Sequence, residues 1–261
     1  MGKIDGKYLG VKASIDDIGK VNNERGGSFS YNPKEFAREK KKILKIIEHS
    51  KTLTDPVLVD IGANYGSYSL TPLINPNLRV HSFEVIPRVY RSLCNNIELN
   101  GLQDKVTAYN EAIFDSVKEF NFLVVENHTG ASRLTEKSTG LKVLTKTLDS
   151  FNISKMDILK IDVEGAELPV LKGGINTLIT CKPSYIQIEI KGHNKRFNYS
   201  ENDIFNFLDV LGYDKFKWGD DYIFTLRDDS LEPYTKTEAD EIKIRLSDEI
   251  ADTEVAHKRI F

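Results

Sequence analysis

Four acidic residues stand at the ends of apolar runs: Asp60 after Val57-Leu58-Val59, Glu84 after Ser82-Phe83, Asp162 after Leu159-Lys160-Ile161, and Glu189 within Ile186-Gln187-Ile188-Glu189-Ile190. Solvated acids have no reason to fall at the end of each apolar run. In an open parallel sheet, ligands gather at the carboxyl ends of the strands near the switch in strand order, so these acids are candidate site residues. The first run opens into Gly62-Ala63-Asn64-Tyr65-Gly66-Ser67, where Gly62 lets the backbone turn and Gly66 lets a ligand or helix come close. The spacing is not the dinucleotide fingerprint GxGxxG, and a pyrophosphate would want bare amides with no nearby anion. Asp60 and Asn64 suit a cationic ligand with an ammonium group better, and S-adenosylmethionine is such a ligand. Glu84 follows the turn by about 20 residues, where a carboxylate can accept both ribose hydroxyls of an adenosine. That position serves NAD equally; the plainer reading is an acid preceding the helix that Pro87 begins. Asn110-Glu111-Ala112 either flanks an adenine or forms a simple turn.

These residues need strands and helices to hold them. Strands are expected near Val57–Ile61, Leu78–Glu84, Lys105–Glu111, Asp157–Val163 and Ser184–Ile190. Helices are expected after Gly66, from Pro87 to Asn100-Gly101, and after the cap Ser200-Glu201-Asn202-Asp203. Tyr213–Trp218 and Tyr222–Arg227 read as a hairpin, with extra strands at Phe120–Val125 and Leu141–Leu148. Phe36, Ile43, Leu44, Ile46 and Ile47 recur at helical spacing among Lys34, Arg38, Lys40, Lys41, Lys42 and Lys45, the solvated face of an amphipathic helix. Three segments result: an arm and amphipathic helix over 1–50, a core over 51–227, and a charged extension over 228–261 with an exposed helix around Thr237–Glu249. The 261 residues suit one α/β domain with decoration. A formal net charge of -3 argues against a dominant nucleic-acid footprint. Cys94 and Cys181 give neither a disulfide framework nor a metal spacing. The absence of an apolar signal core and of a membrane-length apolar run gives a cytoplasmic expectation.

The run from Val57 to Leu70, then Ser82-Phe83-Glu84 and Asn95 to Gly101, resembles the FkbM-type S-adenosylmethionine-dependent methyltransferases. The strongest match is Ile161-Asp162-Val163-Glu164-Gly165-Ala166-Glu167-Leu168 through Val170-Leu171-Lys172-Gly173, similar to the family's IDVEGxExxVLxG signature. Asn110-Glu111-Ala112-Ile113-Phe114-Asp115 and Ile188-Glu189-Ile190 continue it in order, over roughly Gly27 to Arg227. Pro169 departs from the pattern, where family members continue the helix. The resemblance implies a class I methyltransferase fold: a Rossmann-like, doubly wound α/β sheet of seven strands, one antiparallel, usually acting on hydroxyl groups. It implies that Asp60, Gly62, Asn64 and Gly66, with the adjoining Ala63 and Ser67, hold the methionyl part of S-adenosyl-L-methionine. Glu84 and the neighbouring Val85 would hold the ribose, and Glu111 and Ala112 would border the adenine. Asp162 would sit where the methyl donor meets the acceptor, unless it merely caps the next helix.

Transfer from a sulfonium needs donor and acceptor held in line, worth on the order of 7–11 kcal/mol at best. An alcohol also gains about 10²–10⁴-fold from a base, and Asp162, Glu189 and His193 are the catalytic candidates. His193 lies in the loop Lys191-Gly192-His193-Asn194, where it is either the base or an ordinary exposed histidine. Asp162 and Glu189 could together hold a divalent ion. With no third ligand visible, no metal is predicted. Lys191, Lys195 and Arg196 either contact an acidic acceptor or are loop surface. The absence of an Asp/Asn-Pro-Pro-Tyr/Phe motif and of a Pro-Cys pair disfavours base-amino and cytosine-carbon methylation. Asn127 to Arg133, Tyr31, Tyr199 and Trp218 carry the residue types of a sugar site. The expected acceptor is a small molecule or glycan, with no membrane partner and nucleic acid disfavoured. The alternatives are ribose 2′-O-methylation of RNA, recruiting Lys160, Asp162, Lys191 and Glu189, and a nucleotide-binding module without catalysis.

Overall fold

The computed structural model describes residues 33–125, 129–135, 141–227 and 234–258, with side chains placed for 39–125, 130–135, 141–227 and 234–247. The arm over 1–32, including Tyr31, the Phe36 side chain, and Asn127 with His128, lie outside the described residues. Along the chain run α1 (Pro33–Ser50), β1 (Val57–Ile61), β2 (Arg79–Phe83), α2 (Pro87–Leu99), β3 (Val106–Tyr109), β4 (Ala112–Ile113), β5 (Glu119–Leu123), β6 (Arg133–Thr135) and β7 (Leu141–Lys146). There follow β8 (Ile158–Ile161), α3 (Glu167–Gly173), α4 (Ile175–Cys181), β9 (Tyr185–Glu189), α5 (Glu201–Val210), β10 (Tyr213–Trp218), β11 (Asp221–Leu226) and α6 (Lys236–Lys258).

The main sheet has seven strands in the order β10-β11-β9-β8-β1-β2-β3, and β11 runs antiparallel to both neighbours. The remaining pairings are parallel, so the expected doubly wound α/β sheet with one reversed strand is present. Strand order switches between β1 and β8, which places the crevice at their carboxyl ends.

Because side chains alternate across a strand, the two faces of the sheet bury different sets. Val59, Ile61, Leu159, Ile161, Ile186 and Ile188 pack with Leu168 and Leu171 of α3, Phe207 and Leu208 of α5, and Ile242 and Leu246 of α6. Leu58, Val80, Ile158 and Ile223 pack with Ile43, Ile46 and Ile47 of α1 and Leu93 and Ile97 of α2. Both faces are covered, which is why the parallel strands read as continuous apolar runs. A smaller sheet, β4-β7-β5-β6, inserts between β3 and β8 and stands beside the crevice.

Several expectations need correction. No α-helix follows Gly66; the chain passes through turns into a 3₁₀ turn at Thr71–Leu73. Pro72 cannot donate the backbone bond that would continue a helix, and the Thr71 hydroxyl donates instead to the Tyr68 carbonyl at 2.6 Å. The third strand stops at Tyr109, and Ala112–Ile113 joins the smaller sheet beside β7. Lys42 does not lie on a solvated face; it is 4% exposed and its ammonium donates to Asp221 at 2.6 Å. The C-terminal helix is longer than expected and, through Ile242 and Leu246, packs on the core. Pro169 lies in the first turn of α3, where its missing N–H costs nothing. No helix of the described residues is long and apolar enough to cross a membrane.

Candidate active site

The turn after β1 is held by hydrogen bonds to β2. Gly62 and Ala63 donate their N–H groups to the Phe83 carbonyl at 3.0 and 2.9 Å. Gly62 has φ +83°, and a Cβ there would lie 1.9 Å from the Asp162 carbonyl oxygen, so only glycine lets β1 and β8 end side by side. The Asn64 N–H donates to Glu84 Oε2 at 2.9 Å and the Ile86 N–H to Glu84 Oε1 at 2.8 Å, so Glu84 ties the two loops together. Burial pushes the Glu84 carboxyl up to about 7. Asn110 braces this loop rather than facing the crevice, donating to the carbonyls of Glu84 and Val85 at 2.8 and 3.0 Å.

A cleft opens above these strand ends. Phe83, Ile113, Phe122 and Leu134 give it apolar surface, the last three supplied by the smaller sheet. Its charged lining is Glu84, Glu111, Asp162 and Glu164, with no Lys, Arg or His among the described lining residues. Gly62, Asn64, Val85 and Ala112 also border it. Ala63, Gly66 and Ser67 do not. Ala63 is buried in the core beside α2, and a Cβ at Gly66 would meet Leu93 Cδ1 at 2.7 Å, so Gly66 serves helix packing.

Asp60 also stands off the cleft. Strand register sets Ser82, Asp60, Lys160 and Gln187 side by side across β2, β1, β8 and β9. Asp60 is fully buried there, accepts from the Ser69 hydroxyl at 2.9 Å, and faces Lys160 Nζ at 3.5 Å. Lys160 donates to the Gly62 carbonyl at 3.1 Å and approaches Asp162 at 3.7 Å. Burial opposes its charge, but Asp60 and Asp162 outweigh that and hold its ammonium above the usual range. Asp60 is thus held by Ser69 and Lys160 beneath the residues that line the cleft. A charged residue in the wholly buried strand Ile158–Ile161 was the overlooked signal for this row.

The turn after β8 carries the remaining acids. Glu164 has φ +55°, and a Cβ on Gly165 would stand 2.7 Å from the His193 carbonyl, so this turn is pressed against the loop after β9. Glu164 Oε2 lies 2.8 Å from His193 Nδ1, and Oε1 lies 3.2 Å from Lys191 Nζ. Lys191 also reaches Glu189 at 2.8 Å, and Arg196 donates to the Glu164 carbonyl at 3.2 Å. Lys191 and Arg196 are thus directed at Glu164 and Glu189, whereas Lys195 is exposed. Asp162 and Glu189 share a side-chain hydrogen bond. Burial opposes ionisation of Asp162, but Lys160 and Lys191 outweigh it and keep this carboxyl below its usual range. Burial and the neighbouring Asp162 push Glu189 the other way, to about 8. The two carboxyls are thus shifted in opposite directions by the same neighbourhood. His193 lines neither this cleft nor the small chamber beside it.

Asp162, Glu164 and Glu189 present carboxylate oxygens within 4.8 Å of one another, so Glu164 supplies the third oxygen ligand that the sequence reading lacked. Lys191 already bridges Glu164 and Glu189 with its own positive charge. Of the residues named for a sugar site, those described lie in different surroundings. Tyr199 is buried, with its hydroxyl 2.8 Å from Glu167 Oε2 and 3.1 Å from the Gly165 carbonyl, whereas Gly130 and Ser132 do reach the cleft.

Residues 60–215 match the model of the methyltransferase FkbM domain. The chain belongs to the FkbM methyltransferase family. Over 157 residues this FkbM methyltransferase is 27% identical to Methyltransferase sdnD of Sordaria araneosa, covering 46% of this chain and 61% of that protein. It is 26% identical over 145 residues to Methyltransferase 1 of Beauveria bassiana, covering 46% of this chain and 58% of that one. The matched stretch thus spans about three-fifths of these curated relatives. Among solved structures, it is similar to the methyltransferase FkbM from Methylobacillus flagellatus, at a TM-score of 0.48 and 16% identity, covering 81% of this chain and 58% of that chain. An RNA methyltransferase from Salinibacter ruber, solved with S-adenosyl-L-homocysteine, aligns at a TM-score of 0.40 and 11% identity, covering 74% of this chain and 97% of that one.

Proposed function

We propose that this methyltransferase takes its methyl group from S-adenosyl-L-methionine and delivers it to a hydroxyl group of a small molecule or glycan. The carrying observation is the lining of the cleft: apolar walls for a flat base, four carboxylates, and no basic side chain among the described lining residues. Such a lining repels a pyrophosphate and attracts a sulfonium and an ammonium. Glu84 receives the ribose hydroxyls, Glu111 and Ala112 border the adenine, and Gly62 and Asn64 line the path of the methionyl chain. S-adenosyl-L-methionine supplies the activated methyl group; the chain holds donor and acceptor in line and excludes water. Asp162 receives the hydroxyl proton, with Glu189 sharing the charge, and His193 is the alternative base through Nε2 if its loop closes over the acceptor.

Calorimetry with S-adenosyl-L-homocysteine and with NAD tests this reading. Preferential NAD binding would remove the methyltransferase cofactor assignment. The Glu84 carboxyl, with its folded value near 7, adds a pH test. Its ionised form accepts the ribose hydroxyls, so affinity for S-adenosyl-L-homocysteine should rise as pH passes upward through about 7 and level off above it. Glu84→Gln should bind roughly ten- to a hundredfold more weakly and flatten that pH dependence. A wild-type pH profile in this variant would assign the titration elsewhere.

One observation keeps RNA ribose 2′-hydroxyl methylation as a second reading: Lys160, Asp162, Lys191 and Glu189 lie together. RNA binding would weaken steeply between low and moderate salt, whereas a neutral glycan would scarcely respond.

A further inference from the structure

Beside the cofactor cleft, on the α1 side of the sheet, lies a second, smaller chamber with room for a single small group. Asp162 lines both cavities. The chamber is walled by Glu39 and Lys42 of α1, Lys160, Gln187 and Glu189 of β8 and β9, and Asp221 of β11, with Tyr68 beside them. Nearly every wall group is spoken for. Lys42 reaches Asp221 at 2.6 Å, Glu189 at 3.6 Å and Glu39 at 3.9 Å. Gln187 Nε2 donates to Asp221 Oδ2 at 2.7 Å and to the Tyr68 hydroxyl at 3.1 Å.

That bond to a carboxylate fixes the orientation of the Gln187 amide, because only its nitrogen can donate. Its oxygen is left without a partner, although Gln187 is only 2% exposed. A buried amide oxygen with no donor is an acceptor awaiting one. The charge around it is also unbalanced. Four carboxylates (Glu39, Asp162, Glu189, Asp221) face two ammonium groups in the wall (Lys42, Lys160), with Lys191 reaching Glu189 from outside it; Lys160 is shared with Asp60 and Lys191 with Glu164.

We infer that this chamber is the anchoring end of the acceptor site and receives a primary ammonium group, so that the acceptor is an amino alcohol or amino sugar. The ammonium donates to Gln187 Oε1 and is neutralised by the Asp162–Glu189 pair and Asp221. It is an anchor and not the methylated atom, since a protonated amine has no lone pair to attack the methyl group. A hydroxyl elsewhere on the same acceptor then lies on the cofactor side of Asp162. Water would satisfy Gln187 Oε1 but leave the charge excess untouched, which favours the cation. The inference rests on the methyltransferase reading above and narrows its acceptor class.

The test uses the full chain saturated with S-adenosyl-L-homocysteine, titrated in parallel with methylammonium, methanol and potassium ion at constant ionic strength, following the Gln187 side-chain amide by NMR. Methylammonium should give a saturable shift at least tenfold tighter than methanol. Glu39→Gln, which removes one wall charge at the α1 rim, should weaken it several-fold. Gln187→Met should abolish the preference over methanol while thermal melting reports whether that variant stays folded. Equal, non-saturating responses to methylammonium and methanol would mean a solvent-filled chamber and overturn the inference. Potassium competing as well as methylammonium would overturn it too, marking a general cation site. Binding of S-adenosyl-L-homocysteine is measured separately: its success with methylammonium failing removes only the acceptor class, whereas its own failure removes the cofactor assignment.

Discussion

Asp162→Asn should lower methyl transfer by about 10²–10⁴-fold while leaving affinity for S-adenosyl-L-homocysteine within a few-fold of the parent. The substitution keeps the shape of the side chain and removes its ability to take a proton. The position is decisive because Asp162 borders both the cofactor cleft and the acceptor chamber and is held ionised by Lys160 and Lys191. Single-turnover transfer of a labelled methyl group, compared with calorimetric binding of the product cofactor, separates chemistry from binding. Turnover near that of the parent, with the chemical step rate-limiting, would leave alignment of donor and acceptor as the whole of catalysis. His193→Ala is the companion experiment: a loss of turnover confined to one of the two variants, with cofactor affinity kept, names the base.

Gly62→Ala should destabilise the fold by about 2–5 kcal/mol. Left-handed backbone costs a non-glycine residue about 1–2 kcal/mol, and relieving an overpacked contact adds typically about 1–3 kcal/mol. The contact is with backbone: the new Cβ would meet the Asp162 carbonyl oxygen at 1.9 Å, so no side-chain rotation can relieve it. Thermal unfolding should show a fall in Tm of roughly 5–10 °C, and cofactor affinity should drop with it because the ends of β1 and β8 are forced apart. Gly101→Ala is the control. Gly101 shares a positive φ, +66°, but a Cβ there meets nothing within 4 Å, so only the backbone cost remains. Equal losses in the two variants would show that the close approach at Gly62 is absorbed without consequence.

The two experiments probe the same junction from opposite sides. Gly62 ends β1 and Asp162 follows β8, and Lys160 links them by donating to the Gly62 carbonyl while approaching the Asp162 carboxylate. Rigidity at this point is what in-line transfer requires, since misplacement by about 1 Å can cost on the order of a hundredfold in rate. The row Ser82, Asp60, Lys160 and Gln187 beneath it is buried polar structure whose partners lie on different strands. Such a row fixes strand register, because slipping by one residue would turn these groups into the apolar layer on the opposite face.

The sheet and the acids at its strand ends are legible in the chain's local pattern. Apolar runs of strand length, each closing on an acid, are local signals, and both-face burial in a parallel sheet makes them continuous. Gly62, Asn64, Glu84, Glu111 and Asp162 were legible because a glycine turn and strand-end acids are defined by neighbours in the chain. Only the tertiary structure decided which acids face the ligand space and which lie beneath it. Asp60 and Asp162 occupy similar places on adjoining strands, yet strand register buries the first against Lys160 and opens the second to both cavities. Likewise Lys42 and Asp221 meet across 179 positions of chain, and Glu164 meets His193 across 29. Periodicity carries no information about such encounters, because they depend on how helices and loops dock on the sheet. The chamber walled by α1, β8, β9 and β11 is a product of that docking, and no segment of the chain encodes it alone.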